Sequence, residues 1–377
     1  MALLFPALIR AGEIIGHRGA PLTYPENTLE SIRGAYEYGA DIAEVDVRLS
    51  GDGRAVIIHD EDVFRTTGAR GKVAGMTLTE LKALDAGGAY PQFRGKGLRI
   101  PTLEEALGAA RDSGKKMILD IKVPGLKPHI EAAQRAAGIA PAQVMILFYP
   151  DWPDERTIIG QGLPQNSMLA LWAENPARAN AATYQKYHLM GVDGAMMAPN
   201  DDYRAQLDRI HAGGFQASMI YAPARSVFFW MDAGVDSFWT DDAAGTVKYY
   251  RELSSQWNNW ADRWSVPEGQ RATRFDPDGD GRSNLEEYAT GTDPMKSDTG
   301  IGLEPVKTRQ GLDWTLTLTE NWSQFVRVVP QAAGADGVWS DLPAESTTPL
   351  AANRLRFRIP EGDPRRFLRV RFELPSQ

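Results

Sequence analysis

Charged and apolar residues alternate along one short, β-branched segment of the chain. In Ala43-Glu44-Val45-Asp46-Val47-Arg48-Leu49, Glu44, Asp46 and Arg48 alternate with apolar residues. Side chains of a strand point alternately to its two faces, so the charged residues would share one face. Carboxylates buried without partners are costly. A divalent cation, which prefers oxygen ligands, or an internal ion pair with Arg48 or a neighbouring lysine would compensate them.

Two of the five histidines follow short apolar runs. His17 and Arg18 stand in Gly16-His17-Arg18-Gly19, and His59 follows Val56-Ile57-Ile58. Residues at the C-terminal ends of barrel strands face the site in which barrel enzymes keep their reactive groups. Imidazole exchanges protons near neutral pH, and a guanidinium fork matches phosphate oxygens. The pattern therefore favours acid–base chemistry on a phosphorylated substrate.

A second acidic run adds one carboxylate and one amine. In Met117-Ile118-Leu119-Asp120-Ile121-Lys122, the alternation places Asp120 and Lys122 on one face. With this strand, the candidate site holds three carboxylates, two histidines, an arginine and a lysine. Such a set suits phosphoryl transfer, in which a metal polarises the phosphate and imidazoles transfer protons.

The elements that must position these residues repeat between residue 12 and about residue 250. Apolar runs alternate there with amphipathic stretches; the runs are Glu13–Gly16, Ala43–Leu49, Met117–Ile121, Val144–Phe148, Met168–Leu171, Gly194–Ala198, Gln216–Ile220 and Ser237–Thr240. About eight strand–helix units predict an α/β fold of the (β/α)₈ TIM barrel class. A doubly wound open sheet is the alternative.

Local signals within this region predict two further features. Asn27, followed three residues later by Glu30, is interpreted as the N-cap of the first helix. Residues 60–101 interrupt the alternation, and an insertion of this length indicates a small subdomain or a functional loop. Within it, Thr77-Leu78-Thr79-Glu80-Leu81 predicts a short capped helix.

An ordered set of motifs in residues 12–250 resembles the glycerophosphodiester phosphodiesterases. The matching motifs are His17-Arg18-Gly19, Pro25-Glu26-Asn27-Thr28, Glu44-Val45-Asp46-Val47, His59-Asp60, Pro101-Thr102-Leu103-Glu104-Glu105, and Gly234-Val235-Asp236 with Thr240-Asp241. The resemblance implies a TIM barrel with a small subdomain inserted after the second histidine.

The resemblance also implies an activity: hydrolysis of a glycerophosphodiester to glycerol 3-phosphate and an alcohol. The residues matching His17 and His59 would be the general acid and base. Those matching Glu44, Asp46 and Asp120 would hold a divalent metal, Mg²⁺ or Ca²⁺, and those matching Arg18 and Lys122 would contact phosphate. Both a cyclic phosphate route through the glycerol 2-hydroxyl and direct attack by water remain open.

Two departures from the family pattern concern the metal and the substrate. Asp120 stands where the family usually has glutamate, and Ser218-Met219-Ile220-Tyr221-Ala222-Pro223 replaces a tryptophan-rich stretch. Phe148, Trp172, Tyr221 and Trp239 are candidates for the wall of the leaving-group pocket or for plain core. Alternative functions are a lysophospholipase D-like or cyclising phosphodiester lyase, and a non-catalytic, calcium-dependent surface protein that binds a phosphodiester.

An acidic segment further along follows the spacing of an EF-hand calcium loop. Its expected calcium ligands are Asp276, Asp278, Asp280, Arg282 through its carbonyl, Asn284 and Glu287. The segment and its continuation to Pro294 resemble calcium linkers of the dockerin or thrombospondin type 3 kind. A solvated acidic loop without an ion is the alternative.

Changes in the residue pattern along the sequence divide the chain into three parts. We expect the barrel in residues 1–256, a helical linker with the calcium loop in residues 257–298, and a small β-sandwich-like domain in residues 303–377. Trp257, Trp260 and Trp264 recur at helical spacing and predict either a helix docked on the barrel or an aromatic ligand box.

Composition limits the partners and suggests a compartment. The net charge of −8 argues against broad nucleic-acid binding, no apolar run reaches the roughly 20 residues of a membrane helix, and there is no cysteine. The apolar stretch Met1–Ile9 is a poor signal peptide, so the protein is cytoplasmic or begins after a removed signal. The calcium loop favours a periplasmic or secreted protein. The C-terminal domain would then contact the cell surface, a polysaccharide or another chain.

Overall fold

The computed structural model divides the chain into two compact units, Met1–Tyr250 and Arg251–Gln377. The structure describes residues 12–148, 167–169, 192–197, 203–220, 222–297, 303, 306–308, 310–319, 323, 326–334, 338–360, 363, 365 and 367–373. Within this part of the chain, no helix combines the length and the apolarity needed to cross a membrane.

The first unit is built on a curled, mostly parallel sheet. Its strands are β1 (Glu13–Gly16), β2 (Ile42–Leu49), β3 (Ala55–Ile57), β4 (Lys116–Ile121), β5 (Val144–Phe148), β6 (Ser167–Leu169), β7 (Val192–Met197), β8 (Gln216–Met219) and β9 (Ser237–Thr240). The order is β1-β9-β8-β7-β6-β5-β4-β2-β3, and β1 also pairs with β2, so the sheet closes on itself. This TIM-barrel-like arrangement confirms the predicted fold class over the open-sheet alternative.

Nine α-helices lie in the described part of the chain. They are α1 (Leu29–Tyr38), α2 (Phe64–Thr67), α3 (Leu78–Ala83), α4 (Leu103–Ser113), α5 (Lys127–Ala137), α6 (Tyr203–Ala212), α7 (Val227–Ala233), α8 (Ala243–Arg263) and α9 (Asn284–Thr290). The predicted strand residues 170, 171 and 198 lie outside the described residues.

Strand alternation sorts the side chains of β2 between two layers. Val45 and Val47 pack in the large apolar cluster that includes residues of α1, α4 and α5. Ile42 belongs to a second cluster with residues of β1, β4 and β9, inside the curled sheet. Glu44 and Asp46 have the same parity as Ile42, so they follow it into the interior of the sheet.

The first helix begins one residue later than the sequence indicated. Thr28, not Asn27, is the N-cap, and its side chain accepts a hydrogen bond from the Ser31 amide at 3.2 Å. Asn27 adopts a left-handed backbone conformation with φ of 59° and donates its side-chain amide to Asp46. The predicted cap was wrong because the Asn27 side chain is engaged by the site.

Residues 60–101 form a small structure with its own apolar cluster, which includes Val63, Val73 and Leu81. The predicted short helix is confirmed as α3, with a capping box between Thr77 and Glu80. Strand β3, which precedes the insertion, runs antiparallel to β2. His59 therefore reaches the site by a hairpin that turns back along β2, not from the end of a parallel barrel strand.

The second unit contains two antiparallel sheets, which confirms the expectation of C-terminal strands. One sheet has the order β10-β11-β15-β14 and the other β13-β12-β16; their bounds are β10 (Val306–Thr308), β11 (Gly311–Thr317), β12 (Arg327–Ala333), β13 (Trp339–Asp341), β14 (Thr347–Ala351), β15 (Arg354–Pro360) and β16 (Phe367–Glu373). Trp314 and Ile359 of the first sheet share an apolar cluster with Ala332 of the second. Elsewhere in this unit, Trp257 and Trp260 pack against Tyr288.

Candidate active site

Three carboxylates meet on the neighbouring strands β2 and β4. Asp46 lies opposite Asp120 in the parallel register, and Glu44 stands two residues before Asp46 on the same face. One oxygen of each carboxylate lies within 4.8 Å of the other two, and all three side chains are buried. The pKa of Glu44 is raised to about 8, because burial disfavours its charged form and the Asp46 carboxylate repels it.

The pKa of Asp46 is shifted in the opposite direction from that of Glu44. Burial alone would raise its pKa, but the nearby Lys122 and Arg18 outweigh burial and lower it. Asn27 Nδ2 donates to Asp46 Oδ2 at 2.7 Å, and the Asp46 amide donates back to Asn27 Oδ1 at 3.2 Å. This reciprocal pair fixes the orientation of the carboxylate.

A lysine compensates part of the negative charge of the buried carboxylates. Lys122 Nζ lies 2.7 Å from Asp120 Oδ2 and 3.1 Å from Asp46 Oδ1. Arg48, the other candidate, instead donates Nε to the His59 carbonyl at 2.8 Å. Among the described residues, Glu44 Oε1 is buried and accepts no hydrogen bond. A buried, unsatisfied carboxylate oxygen in a cluster of three acids fits a divalent cation with oxygen ligands.

His17 faces this cluster from the end of β1. Its Nε2 lies 4.0 Å from Glu44 Oε2, and its Nδ1 lies 2.7 Å from Asp241 Oδ1, which follows β9. Burial would lower the pKa of His17, but the hydrogen bond with Asp241 and the charge of Glu44 outweigh burial and raise it. An Nδ1–H donated to Asp241 leaves Nε2 on the side of Glu44.

The turn after β1 has a strained backbone at Arg18, and this conformation directs Arg18 toward the carboxylate cluster. Arg18 has φ of 54°, a left-handed conformation that is uncommon outside glycine and clusters at functional sites. Its amide donates to Glu44 Oε2 at 2.9 Å, and its Nη1 donates to Glu26 Oε1 at 3.0 Å. Arg18 Nε lies 3.3 Å from Asp46 Oδ2. The turn thus joins the guanidinium to the carboxylate cluster by both backbone and side chain.

His59 reaches the same cluster along the β3 hairpin. The amide of Ile58 donates to the Asp46 carbonyl at 2.9 Å, which fixes the backbone just before the histidine. His59 Nδ1 lies 2.7 Å from Asp60 Oδ1. Burial would raise the pKa of Asp60, but its hydrogen bonds with Arg65 and His59 lower it to about 2. Each of the two histidines therefore has an acidic partner on Nδ1.

A cavity of about 500 Å³ lies beside His17. Apolar side chains, among them Ile220, Pro223 and Trp239, form part of its lining, together with Asp241. Trp239 is thus the pocket-wall candidate that the structure places at the cavity. The Phe148 side chain, Trp172 and Tyr221 lie outside the described residues.

Sequence reasoning did not assign a role to several side chains that organise this site. In the sequence, Glu26, Asp60 and Asp241 stand within the family motifs, whereas Arg65 stands in none of them. For Asp60 and Asp241, a usable signal was an acidic residue that follows a strand-like run after one polar residue, His59 or Thr240. Arg65 carries no such signal, because its partners depend on how the inserted segment folds.

The acidic loop of the second unit brings its first three candidate ligands together. Oxygens of Asp276, Asp278 and Asp280 lie within 4.8 Å of one another, and Glu287 is fully buried. The pKa of Asp278 is raised by burial and by the neighbouring Asp280 and Asp276. Converging carboxylates of this kind fit a calcium ion as a charge partner.

Two further candidate ligands of the loop make side-chain hydrogen bonds, although Asn284 Oδ1 itself is buried and accepts none among the described residues. The guanidinium of Arg282 donates to the hydroxyls of Thr290 and Thr292. Asn284 donates its side-chain amide to the carbonyls of Gln270 and Ala272, at 2.7 and 2.9 Å. The side chains of both residues therefore brace the loop against the segments before and after it.

The fold and the site together define a TIM-barrel-like protein with an acidic cluster suited to a metal and two histidines paired with carboxylates. The glycerophosphoryl diester phosphodiesterase family matches residues 17–244, more than half of the chain, and the protein belongs to that family. A glycerophosphodiester phosphodiesterase from Caldanaerobacter subterraneus is 44% identical over 110 residues, which are 29% of this chain and 44% of the relative. One from Bacillus subtilis is 42% identical over 100 residues, 25% of this chain and 34% of that protein. The chain thus spans less than half the length of these curated relatives.

Solved structures resemble somewhat under two thirds of this chain. A phosphodiesterase from Oleispira antarctica, in complex with the product sn-glycerol-3-phosphate, has a TM-score of 0.53 and 25% identity and covers 64% of this chain and 96% of its own. A glycerophosphodiester phosphodiesterase from Agrobacterium tumefaciens has a TM-score of 0.53 at 23% identity, with 63% and 99% covered. The second likeness concerns the fold alone.

Proposed function

We propose that this protein hydrolyses glycerophosphodiesters to glycerol 3-phosphate and an alcohol, with a divalent metal held by Glu44, Asp46 and Asp120. The observation that carries the proposal is the meeting of three buried carboxylates within 4.8 Å, with His17 Nε2 4.0 Å from Glu44 Oε2. Family membership supports the reaction type, and the product complex of the Oleispira phosphodiesterase supports the product.

The roles of the chain's own residues follow from their contacts. A metal at the carboxylates, Mg²⁺ or Ca²⁺, would polarise a phosphate oxygen when bound. Arg18 gives one of its five N–H groups to Glu26, which leaves donors for phosphate oxygens. Lys122 is held between Asp46 and Asp120 and would add a fixed positive charge that attracts the phosphate.

The two imidazoles would exchange the protons. His17 has a raised pKa and is suited to donate a proton from Nε2 to the leaving alcohol as general acid. His59, with Nδ1 held by Asp60, is suited to accept the proton of the attacking hydroxyl as general base. The attacking hydroxyl is that of water or the glycerol 2-hydroxyl.

A panel of diesters and metals tests this proposal. Purified protein is assayed on glycerophosphocholine, glycerophosphoethanolamine and a lysophospholipid with Mg²⁺, Ca²⁺ or Mn²⁺. His17→Ala and His59→Ala are each expected to lower kcat by about 100-fold or more. His129→Ala, which changes a histidine outside the site, is the control. Hydrolysis that survives both active-site substitutions would contradict the assignment.

Three alternatives give different outcomes in the same assay. Phosphorus NMR of the first-formed product separates a hydrolase, which gives a monoester, from a cyclising lyase, which gives a cyclic phosphate. Release of the head group from a lysophospholipid indicates the lysophospholipase D-like activity. Binding without turnover across the whole panel indicates a non-catalytic, calcium-dependent phosphodiester-binding protein.

We also propose that the loop from Asp276 to Glu287 binds a structural calcium ion. The converging carboxylates and the buried Glu287 support it, and the carbonyl of Arg282 would supply a backbone ligand. With Mg²⁺ held in excess to fill the carboxylate site of the first unit, Glu287→Gln is expected to abolish the remaining Ca²⁺-dependent rise in the melting temperature of the full chain, and Glu286→Gln serves as the adjacent control. If the wild-type protein melts at the same temperature with and without Ca²⁺, the loop binds no ion.

The proposed calcium loop underlies two further proposals, a periplasmic or secreted location and a contact of the second unit with the cell surface or a polysaccharide. A cavity of about 460 Å³ in this unit, with Trp260, Trp264 and Tyr288 in its lining, supports the second, since sugar rings pack on aromatic faces. Cell fractionation tests the location. Sedimentation with insoluble polysaccharides, compared between wild type and Trp264→Ala, tests the contact.

A further inference from the structure

Arg65, on helix α2 of the inserted segment, binds two carboxylates at once. Its Nη1 and Nη2 donate to the two oxygens of Glu26 at 2.6 and 2.7 Å. Its Nε donates to Asp60 Oδ2 at 2.6 Å, and its Nη2 lies 3.2 Å from Asp60 Oδ1. All three N atoms of the guanidinium are therefore committed to Glu26 and Asp60, which are 34 positions apart in the chain.

Each of these carboxylates has a second partner inside the site. Glu26 Oε1 also accepts a hydrogen bond from Arg18 Nη1, at 3.0 Å. Asp60 Oδ1 lies 2.7 Å from His59 Nδ1. Arg65 is thus linked through Glu26 to Arg18, the proposed phosphate ligand. It is linked through Asp60 to His59, the proposed base.

The planarity of the guanidinium makes this connection geometrically specific. A planar fork of donors holds a bidentate carboxylate in one orientation, which a flexible ammonium cannot do. The Glu26 side chain is only 9% exposed, so its charge depends on the cations around it, whereas Arg65 is 46% exposed at the outer end. With Glu26 bound to Arg65, Arg18 shares that carboxylate and is not its sole counter-ion.

The second contact fixes an imidazole. A carboxylate on Nδ1 sets the tautomer and the ring orientation of a histidine, and leaves Nε2 for proton transfer. Asp60 can do this only while its own carboxylate is held, and its Oδ2 is held by Arg65 Nε. The inserted segment therefore fixes His59 through Arg65.

We propose that Arg65 is a positioning residue that orients His59 through Asp60 and Arg18 through Glu26. This inference rests on the proposed function, because it concerns the two residues to which that function assigns proton transfer and phosphate binding. The competing interpretation is an ordinary surface ion pair, whose loss changes stability slightly and leaves the chemistry unaltered.

A double-mutant cycle in the full chain separates the two interpretations. Arg65→Met is expected to lower kcat on the best diester of the panel by about 10- to 100-fold, the range for displaced catalytic groups. Asp60→Asn is expected to lower kcat similarly, and the double variant is expected to lose less than the product of the two single losses, since only the Glu26 contact of Arg65 is left to lose once Asp60 is changed. Losses that multiply would show that Arg65 does not act through Asp60.

A matched variant and a second substitution complete the design. Arg70→Met removes an exposed arginine of the same segment and is expected to leave kcat unchanged. Arg65→Lys retains the charge without the fork, so it is expected to recover less than half of the lost activity. Complete recovery by lysine would overturn the positioning role in favour of a simple charge effect.

An NMR measurement tests the inference without turnover. The ¹⁵N shifts of His59 in wild-type protein are expected to report the Nδ1–H tautomer, and in Arg65→Met a mixture of tautomers. A pure Nδ1–H tautomer in the variant would overturn the proposal. Wild-type protein that fails to hydrolyse any diester contradicts the proposed function, whereas active wild type with an equally active Arg65→Met contradicts only this inference.

Discussion

His17 Nδ1 lies 2.7 Å from Asp241 Oδ1, although 224 positions separate the two residues in the chain. They meet because β1, which precedes His17, pairs in parallel with β9, which precedes Asp241. Closure of the sheet therefore builds the histidine's hydrogen-bond partner. The contact lowers the pKa of Asp241 and raises that of His17, as expected for a pair that favours the protonated imidazole.

Replacing this partner should impair general acid catalysis by His17. In Asp241→Asn, the side-chain NH₂ can face Nδ1 and favour the opposite tautomer, and the negative charge that raises the pKa of His17 is lost. We expect kcat to fall by about 10- to 100-fold, in the range typical of general acid catalysis. The basic limb of the pH–rate profile should move to lower pH, since His17 would lose its proton earlier.

The control for this experiment is Asp208→Asn, which changes an exposed aspartate of α6. It should retain both the rate and the profile of the wild-type protein. An Asp241→Asn profile that overlays the wild type would mean that His17 is not the group whose titration limits the reaction at high pH.

Metal binding should release protons near neutral pH. Without a metal the pKa of Glu44 is about 8, so most of its carboxyl is protonated at pH 7. A metal ligand must be deprotonated, hence binding displaces this proton, and affinity should rise with pH until about pH 8 and then level off. Calorimetry of Mg²⁺ binding in buffers of different ionisation enthalpy measures the release directly.

Glu44→Gln is the matched variant, because glutamine keeps the size of the side chain and has no proton to lose. We expect its proton release to fall to near zero, together with weaker binding. An affinity independent of pH between 6 and 8 in the wild-type protein would argue against Glu44 as a ligand.

Alternation along β2 and β4 is a local property, and it allowed Glu44, Asp46, Asp120 and Lys122 to be predicted as neighbours. The period of two fixes which side chains share a face, and the parallel register then places Asp46 beside Asp120. The overall class of fold was also predictable, because each strand–helix unit carries its own apolar pattern. These are the features that depend on short segments.

Other contacts depend on how distant segments meet, and the sequence pattern does not contain that information. Asn27 is a residue type that favours the N-cap of a helix, yet its side-chain amide donates to Asp46, which lies 19 positions away in the chain. His59 looked like the exit of a parallel strand, whereas a hairpin turns it back along β2. Tertiary hydrogen bonds outweighed the local signal in the first case, and strand direction was not readable in the second.

Removing the buried amine should make the protein depend on a metal for stability. Lys122 is 7% exposed and contacts both Asp46 and Asp120. Breaking one side of a buried ion pair typically costs about 3–5 kcal/mol, because an uncompensated charge remains. We expect Lys122→Met to lose about this much free energy of unfolding without metal, and to regain part of it with Mg²⁺.

Urea denaturation with and without Mg²⁺ measures both effects. Lys82→Met, which breaks a more exposed pair with Glu105, should cost only about 0–1 kcal/mol and respond to the metal like wild type. If Mg²⁺ stabilises Lys122→Met no more than the wild-type protein, then Mg²⁺ does not neutralise the carboxylates that Lys122 contacts.

The turn that presents His17 and Arg18 should not tolerate a side chain at Gly19. Gly19 has φ of 88°, and a Cβ atom there would lie 2.5 Å from the carbonyl carbon of Ser31. A non-glycine residue in such a conformation costs about 1–3 kcal/mol before the steric clash is added. Gly19→Ala should therefore lower the free energy of unfolding by more than this amount and reduce kcat through displacement of Arg18.

Gly108→Ala provides the contrast, since Gly108 lies within α4 and a Cβ atom there meets nothing within 4 Å. Alanine at a compatible helical position should stabilise the protein by about 0.4–1 kcal/mol and leave kcat unchanged. Urea denaturation and steady-state kinetics on both variants give the comparison. A fully active, equally stable Gly19→Ala would show that the turn after β1 can relax, and that the strained conformation of Arg18 is not needed to hold the site.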